Sequence, residues 1–212
     1  LDQPILPGLP IASHNSETLP NTTVEDDENV LARIPEGRTN ARLHSLYQIG
    51  CLRLWLGDTT EAIEHFQAAL QLHDTVSGSD VDPFRETILF KLGVACLRQG
   101  EIENCVNCNN GQRCLVPIRR EGVHKEQRGS RAAIEHFTIL LKQNPTHLTA
   151  RWLLNIASMT LGQYPDGVPV EFRIDPDYFK SDTGFPSFPN IASDKLLNTV
   201  TLAGGSIVDD FD

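Results

Sequence analysis

Three cysteines and a histidine crowd one short stretch, Cys105, Cys108, Cys114 and His124, in the spacing C-x2-C-x5-C-x9-H. Thiolates and imidazole are the ligands a structural zinc ion takes near a tetrahedron, and three Cys with one His supply the four it needs. A disulfide between Cys105 and Cys114 is a second chemistry, closing a ten-residue loop for about 2–3 kcal/mol, with Cys108 left over. Free thiols are the third. Two other chemistries fail on spacing or setting. Covalent c-type haem requires C-x-x-C-H, and Asn109 stands where the His must be. A thioredoxin-like redox pair requires a βαβ frame, which the surrounding sequence lacks. Zinc, disulfide and free thiol therefore stay open. No nucleophile–base pair, Gly-rich phosphate loop or paired-acid motif stands out elsewhere, so the chain reads as non-catalytic. An open coordination position on a metal in the lobe would instead make it the accessory domain of a metal-dependent enzyme.

The elements that must hold this lobe announce themselves by repetition. The string AIEHF occurs at Ala62–Phe66 and again at Ala133–Phe137. Gly57, Gly100 and Gly162 each close an apolar-periodic run. Apolar residues recurring at i, i+3 and i+4 predict helices over 39–57, 59–73, 84–99, 130–143 and 147–162, with a shorter one near 23–33 capped by Thr23. The pattern resembles the tetratricopeptide repeat, a helix–turn–helix of about 34 residues. Gly50 and Gly93 fall where that family keeps a small residue on its first helix. Ala62, Phe66 and Ala69, and Ala133 and Phe137, fall at its second-helix positions, and Pro145 stands where it ends that helix. The glycines are 43 and 62 residues apart, so the units are interrupted. A loop over 75–83 absorbs the first excess, and an insertion over 104–130, inside the second unit, absorbs the other. A third unit has its first helix, after which GQYPDGVPVEF breaks the pattern.

In this resemblance the first helix of each pair lines a groove. The groove positions here hold Tyr47, Phe90 and Trp152, then Cys51, Val94 and Ile156, then Leu54, Leu97 and Met159. All nine are apolar or aromatic, which suits an apolar or proline-rich segment and not a charged tail. The plainer reading of such a stripe is core, or a face covered by the chain's own extended ends. The arm LDQPILPGLPIA is a candidate cover, in its own groove or in a neighbour's. Cys51 and Cys96 read as small buried hydrophobes. His65 and His136, duplicated beside Phe66 and Phe137, read as structural.

Composition narrows the class. A net charge of −10 argues against a nucleic-acid backbone binder. Arg113, Arg119, Arg120, Lys125, Arg128 and Arg131 form one basic patch, read as a solvated loop or, more sharply, as a dock for an acidic surface. No apolar run reaches the length of a bilayer span. The chain does not begin with Met, so we expect a fragment or a product of processing. Prolines cluster in 1–21 and 164–190, leaving only three in residues 39–163, which argues against regular helix at both ends.

A closer resemblance covers about residues 100–212. The run ENC…C-x-x-P-I…GVH…GSRAAIEHF, followed by RWLLNIASMTLGQYPDGVP, resembles the helical region in front of the propeller in ASPIC/UnbV-type secreted proteins. A His commonly stands in that family where Cys108 stands here, a departure that weighs toward the metal reading. The tail, FPSFPNIASDKLLNTVTLAGGSIVDDFD, resembles the opening of an FG-GAP/VCBS propeller blade, whose D-x-D-x-D-G loop binds calcium through oxygen ligands. Asp210 and Asp212 match its first two acids. The resemblance implies export, extracellular or periplasmic, where a disulfide is stable and where the sequon at Asn21 permits glycosylation.

The sequence thus predicts an all-α, tetratricopeptide-like helical-hairpin solenoid. It has an extended Pro-rich arm over 1–22, a helical domain over 23–163 with the cysteine lobe at 104–130, and an irregular linker with the start of a β segment over 164–212. The expected function is an exported protein–protein scaffold mediating assembly, with its own propeller region, other copies of itself or another subunit as partner. The alternative is a structural subunit of an extracellular polymer with arm-in-groove contacts.

Overall fold

A computed structural model of the chain describes residues 24–76, 82–106 and 115–180. They are all-helical, without a strand among the described residues. The six helices are α1 (Val24–Arg33), α2 (Thr39–Leu56), α3 (Thr59–Val76), α4 (Pro83–Glu101), α5 (Arg128–Gln143) and α6 (Leu148–Thr160). Each packs on the next in chain order, and α4 also touches α2 and α6.

Local chemistry sets the boundaries. α2 ends at Gly57, φ 92°, a left-handed conformation open to glycine at little cost. Gly57 N–H donates to Leu54 O and Asp58 N–H to Arg53 O, which satisfies carbonyls the last turn would leave bare. α6 ends the same way, with Gly162 N–H on Met159 O and Gln163 N–H on Ser158 O. α4 begins at Pro83, whose missing N–H costs nothing at a first helical position. Asp82 caps it, accepting from Phe84 N–H at 2.8 Å. The same Asp82 receives buried His73 Nε2 at 3.0 Å, while Arg85 Nε donates to Asp74 at 2.8 Å. These contacts join the end of α3 to the start of α4 and hold both carboxyls below their usual range, Asp82 chiefly through His73 and Asp74 chiefly through Arg85.

Two close contacts recur between helices. An added Cβ on Gly50 would lie 2.7 Å from the Phe66 ring, and one on Gly93 would lie 2.6 Å from the Phe137 ring. In each case the bare backbone of the preceding helix makes the seat for a fully buried Phe. Around these rings Leu89, Leu92, Leu140, Leu141 and Leu154 complete one core, at about 1.5–3 kcal/mol for each side chain removed from water.

The sequence places the end of the fourth helix at Gly100, and here the structure differs. α4 runs on through Glu101 and then widens into a π-helical turn, Ile102–Val106. Gly100 instead marks a helix crossing. A Cβ on Gly129 would stand 2.6 Å from Gly100 N and from Cys96 O, so the start of α5 rests on the backbone of α4. Of the irregular linker expected over 164–212, the structure describes residues 164–180. Residues 164–179 are irregular in backbone but packed, with Val168 and Phe172 only 3% and 4% exposed within the core.

Candidate functional site

Among the described residues no α-helix follows α6, and the strap of residues 164–179 lies along it. Asn155, fully buried on α6, supplies the edge that a strand would otherwise provide. Its Nδ2 donates to Phe172 O at 2.9 Å and to Arg151 O at 2.8 Å, and its Oδ1 accepts from Ile174 N–H at 3.0 Å. Arg151 donates from Nε to Phe172 O at 3.1 Å and from a terminal nitrogen to Arg173 O at 2.7 Å. The Tyr164 hydroxyl donates to Ile174 O at 2.7 Å. Burial, with Asp175 nearby, pushes that phenol above its usual range, which keeps it a donor.

Between α6 and the strap a cavity of about 780 Å³ opens, lined by Leu148, Thr149, Arg151, Trp152, Ile174, Asp175, Tyr178 and Phe179. Its size is that of a ligand or peptide site. Trp152 stacks on Phe179 with centroids 5.7 Å apart, and Tyr164 meets Phe179 edge-on at the same distance. Trp152, Leu148 and Tyr178 are nevertheless 43%, 59% and 72% exposed. Arg151 is committed to strap carbonyls, so the surface offered is mainly apolar and aromatic. Such a concave aromatic wall can grip a flat or apolar ligand by ring contact.

The nine groove residues divide. Tyr47 is half-buried against Phe66 and Phe84, and Phe90 against Phe137 and His147. Cys51, Leu54, Val94 and Ile156 are half-buried. Leu97 and Met159 are 5% and 0% exposed and belong to the core, a correction to their place in an open groove. The reason for Met159 is local. The chain returning from the lobe lies over this end of α6, with His124 N–H on Thr160 O at 2.8 Å. Only Trp152 of the nine is exposed. The sequence reading missed Leu148, Ile174, Tyr178 and Phe179. For Ile174, Tyr178 and Phe179 the signal is the aromatic and aliphatic content of a Pro-rich stretch, and for Leu148 it is its place one turn before Trp152 on α6.

The lobe is held at its neck. Asn104, 2% exposed, fills all its hydrogen-bonding capacity. Nδ2 donates to Gly100 O and Glu126 O, and Oδ1 accepts from Lys125 N–H and Glu126 N–H. Arg128 pairs with Glu103 across the same neck. Cys105 follows Asn104 directly and His124 precedes Lys125, so two of the four expected metal ligands are brought to the neck. His124 is 3% exposed, its Nδ1 3.2 Å from Ser130 Oγ. Cys108 and Cys114 lie outside the described residues, and with them the four-ligand set and the Cys105–Cys114 pairing. Among the described residues no group of three metal-type side chains gathers. Arg119, Arg120, Lys125, Arg128 and Arg131 are exposed, and Arg113 lies outside the described residues. So do Asn21, the arm, Asp210 and Asp212.

His65 and His136 sit beside their phenylalanines. His65 Nδ1 donates to Glu61 O at 2.8 Å, whereas His136 Nδ1 is buried without a hydrogen-bond partner among the described residues. Burial pushes the Cys96 thiol up to about 11, which keeps it protonated and inert. No helix of the described residues is long and apolar enough to cross a membrane. No protein-family model matches the chain, and no curated protein matches it either.

Proposed function

We propose that this chain is a tetratricopeptide-type helical scaffold whose α6–strap groove holds an apolar, proline-rich protein segment. The observation that carries the reading is Trp152, an exposed aromatic beside Leu148, Tyr178 and Phe179 on a cavity where Arg151, the one cation among the described lining residues, is already spent on backbone carbonyls. The Gly50–Phe66 and Gly93–Phe137 contacts, and the matching ends of α2 and α6, support a repeated hairpin unit. Export as part of a longer, propeller-bearing protein rests on the resemblance of residues 100–212. Zinc or a disulfide in the lobe rests on its spacing.

The test uses the chain without residues 1–20, its helicity checked by circular dichroism. An oligoproline peptide and a charged tail peptide are titrated by calorimetry. We expect the oligoproline to bind, and Trp152→Ala to weaken it by about 2 kcal/mol, the size of a buried aromatic anchor. Equal binding of the charged tail, or none of either, would sink the reading. A polymer subunit is the second reading, favoured by a separate apolar patch at Trp55 and Leu56, 65% and 52% exposed on the last turn of α2. Oligomers in the full chain that vanish without residues 1–20 would favour it.

A further inference from the structure

Pro4, Pro7 and Pro10 recur at every third residue. A polyproline II helix has three residues per turn, so in that conformation the three prolines would share one ridge. Leu6, Leu9 and Ala12 would share a second. Segments of this kind dock in aromatic-lined grooves, because their backbone is already extended and little entropy is lost on binding. The α6–strap cavity is such a groove, with Trp152, Tyr178 and Phe179 on its walls and Leu148 at its edge. Charge agrees as well. Residues 1–12 carry one charged side chain, Asp2, and Arg151 is held by Phe172 O and Arg173 O.

Reach and concentration decide whose arm it is. α1 touches α2, α2 touches α4, and α4 touches α6. Packed helices lie about 8–10 Å apart, so three such steps separate the axes of α1 and α6 by at most about 24–30 Å from side to side, with offset along the helices in addition. Residues 13–23 can span about 36–40 Å when extended. A tethered segment that can reach acts at about millimolar effective concentration, well above that of a second copy in dilute solution.

From this we infer that residues 4–12 occupy the α6–strap groove of their own chain, so that any outside segment must displace them. The inference rests on the groove proposed above and adds its resident occupant. It makes the arm a built-in competitor, weakening an external ligand by the fraction of time the arm is seated.

The test uses the full chain with Trp55→Phe, leaving Trp152 as the one tryptophan. Leu6→Asp with Leu9→Asp should unseat the arm, with helicity and the thermal midpoint checked alongside. We expect acrylamide quenching of Trp152 to rise severalfold and mass by light scattering to stay monomeric. A synthetic peptide of residues 1–12 should then protect Trp152 in this variant, and need at least about tenfold more peptide in the chain with its arm intact. Unchanged quenching would overturn the inference. So would protection that appears only with dimer formation, which would assign the arm to a second copy. If oligoproline protects Trp152 in the variant and the residue 1–12 peptide does not, the groove stands and its resident occupant falls. If neither protects, both fall.

Discussion

A methyl group on Gly93 would sit 2.6 Å from Phe137 Cε1, and one on Gly129 would sit 2.6 Å from Cys96 O. The two collisions differ in what can yield. A ring can tilt within the core, so Gly93→Ala should destabilise by about 1–3 kcal/mol, the usual cost of overpacking. Gly129 faces backbone on α4, and Gly129→Ala should cost more than Gly93→Ala because a whole helix must move. Urea midpoints rank the two. Titration adds a second residue-scale expectation. Burial lowers His136 below its ordinary 6.5, so folding favours the neutral ring. That contribution is full above pH 6.5 and is lost as pH falls through the folded value. Asp82 behaves likewise lower on the scale, stabilising above its unfolded value and losing that as pH falls below it. His136→Leu should therefore flatten the slope of stability just below neutrality and leave the acid limb in place. A slope unchanged by that substitution would count against the assignment.

At the scale of elements, two asparagines do what helices elsewhere do for themselves. Asn155 gives the strap its backbone partners, and Asn155→Ala should free residues 164–179 and abolish oligoproline binding while helicity persists. Asn104→Ala would strand two N–H groups and two carbonyls at the lobe neck, costing about 3 kcal/mol. Protease cleavage within the lobe should then outpace cleavage of the helices. Apolar periodicity and the stops at Gly57, Gly162 and Pro145 made the helices legible, because those signals are local. The strap was illegible because Val168 and Phe172 reach the core without any period, so only the packing partner reveals them. Gly100 misled for a related reason. Its missing side chain serves a crossing with Gly129, and a contact between residues so far apart in sequence leaves no local trace. Of the site, Trp152 was legible, and Leu97 and Met159 looked equivalent because helical spacing cannot tell which end of a groove another segment covers.

For the whole molecule, the proposed groove is lined mainly by apolar and aromatic residues, so on that proposal its partner is recognised by shape and ring contact and not by charge. Salt should therefore barely change oligoproline affinity, whereas binding at the basic lobe would weaken steeply with it. The lobe's covalent state is read on the intact chain. Mass before and after reduction, with metal analysis on the same sample, should give either a gained pair of hydrogens without zinc or stoichiometric zinc on reduced thiols. Either result selects one of the chemistries its spacing allows, and free thiols without metal would dismiss both.

Asn104 has a consequence for what the lobe can become. Because its hydrogen bonds hold the entry and exit of the lobe together, the helices see a closed gate and not the length of chain beyond it. Doubling the length of such a loop costs only about 0.6 kcal/mol of closure entropy. The register of α4 on α5 is set separately, by Gly129 resting on Gly100. The position is thus a natural grafting site, where an unrelated peptide could replace residues 107–114 and be displayed on an unaltered frame.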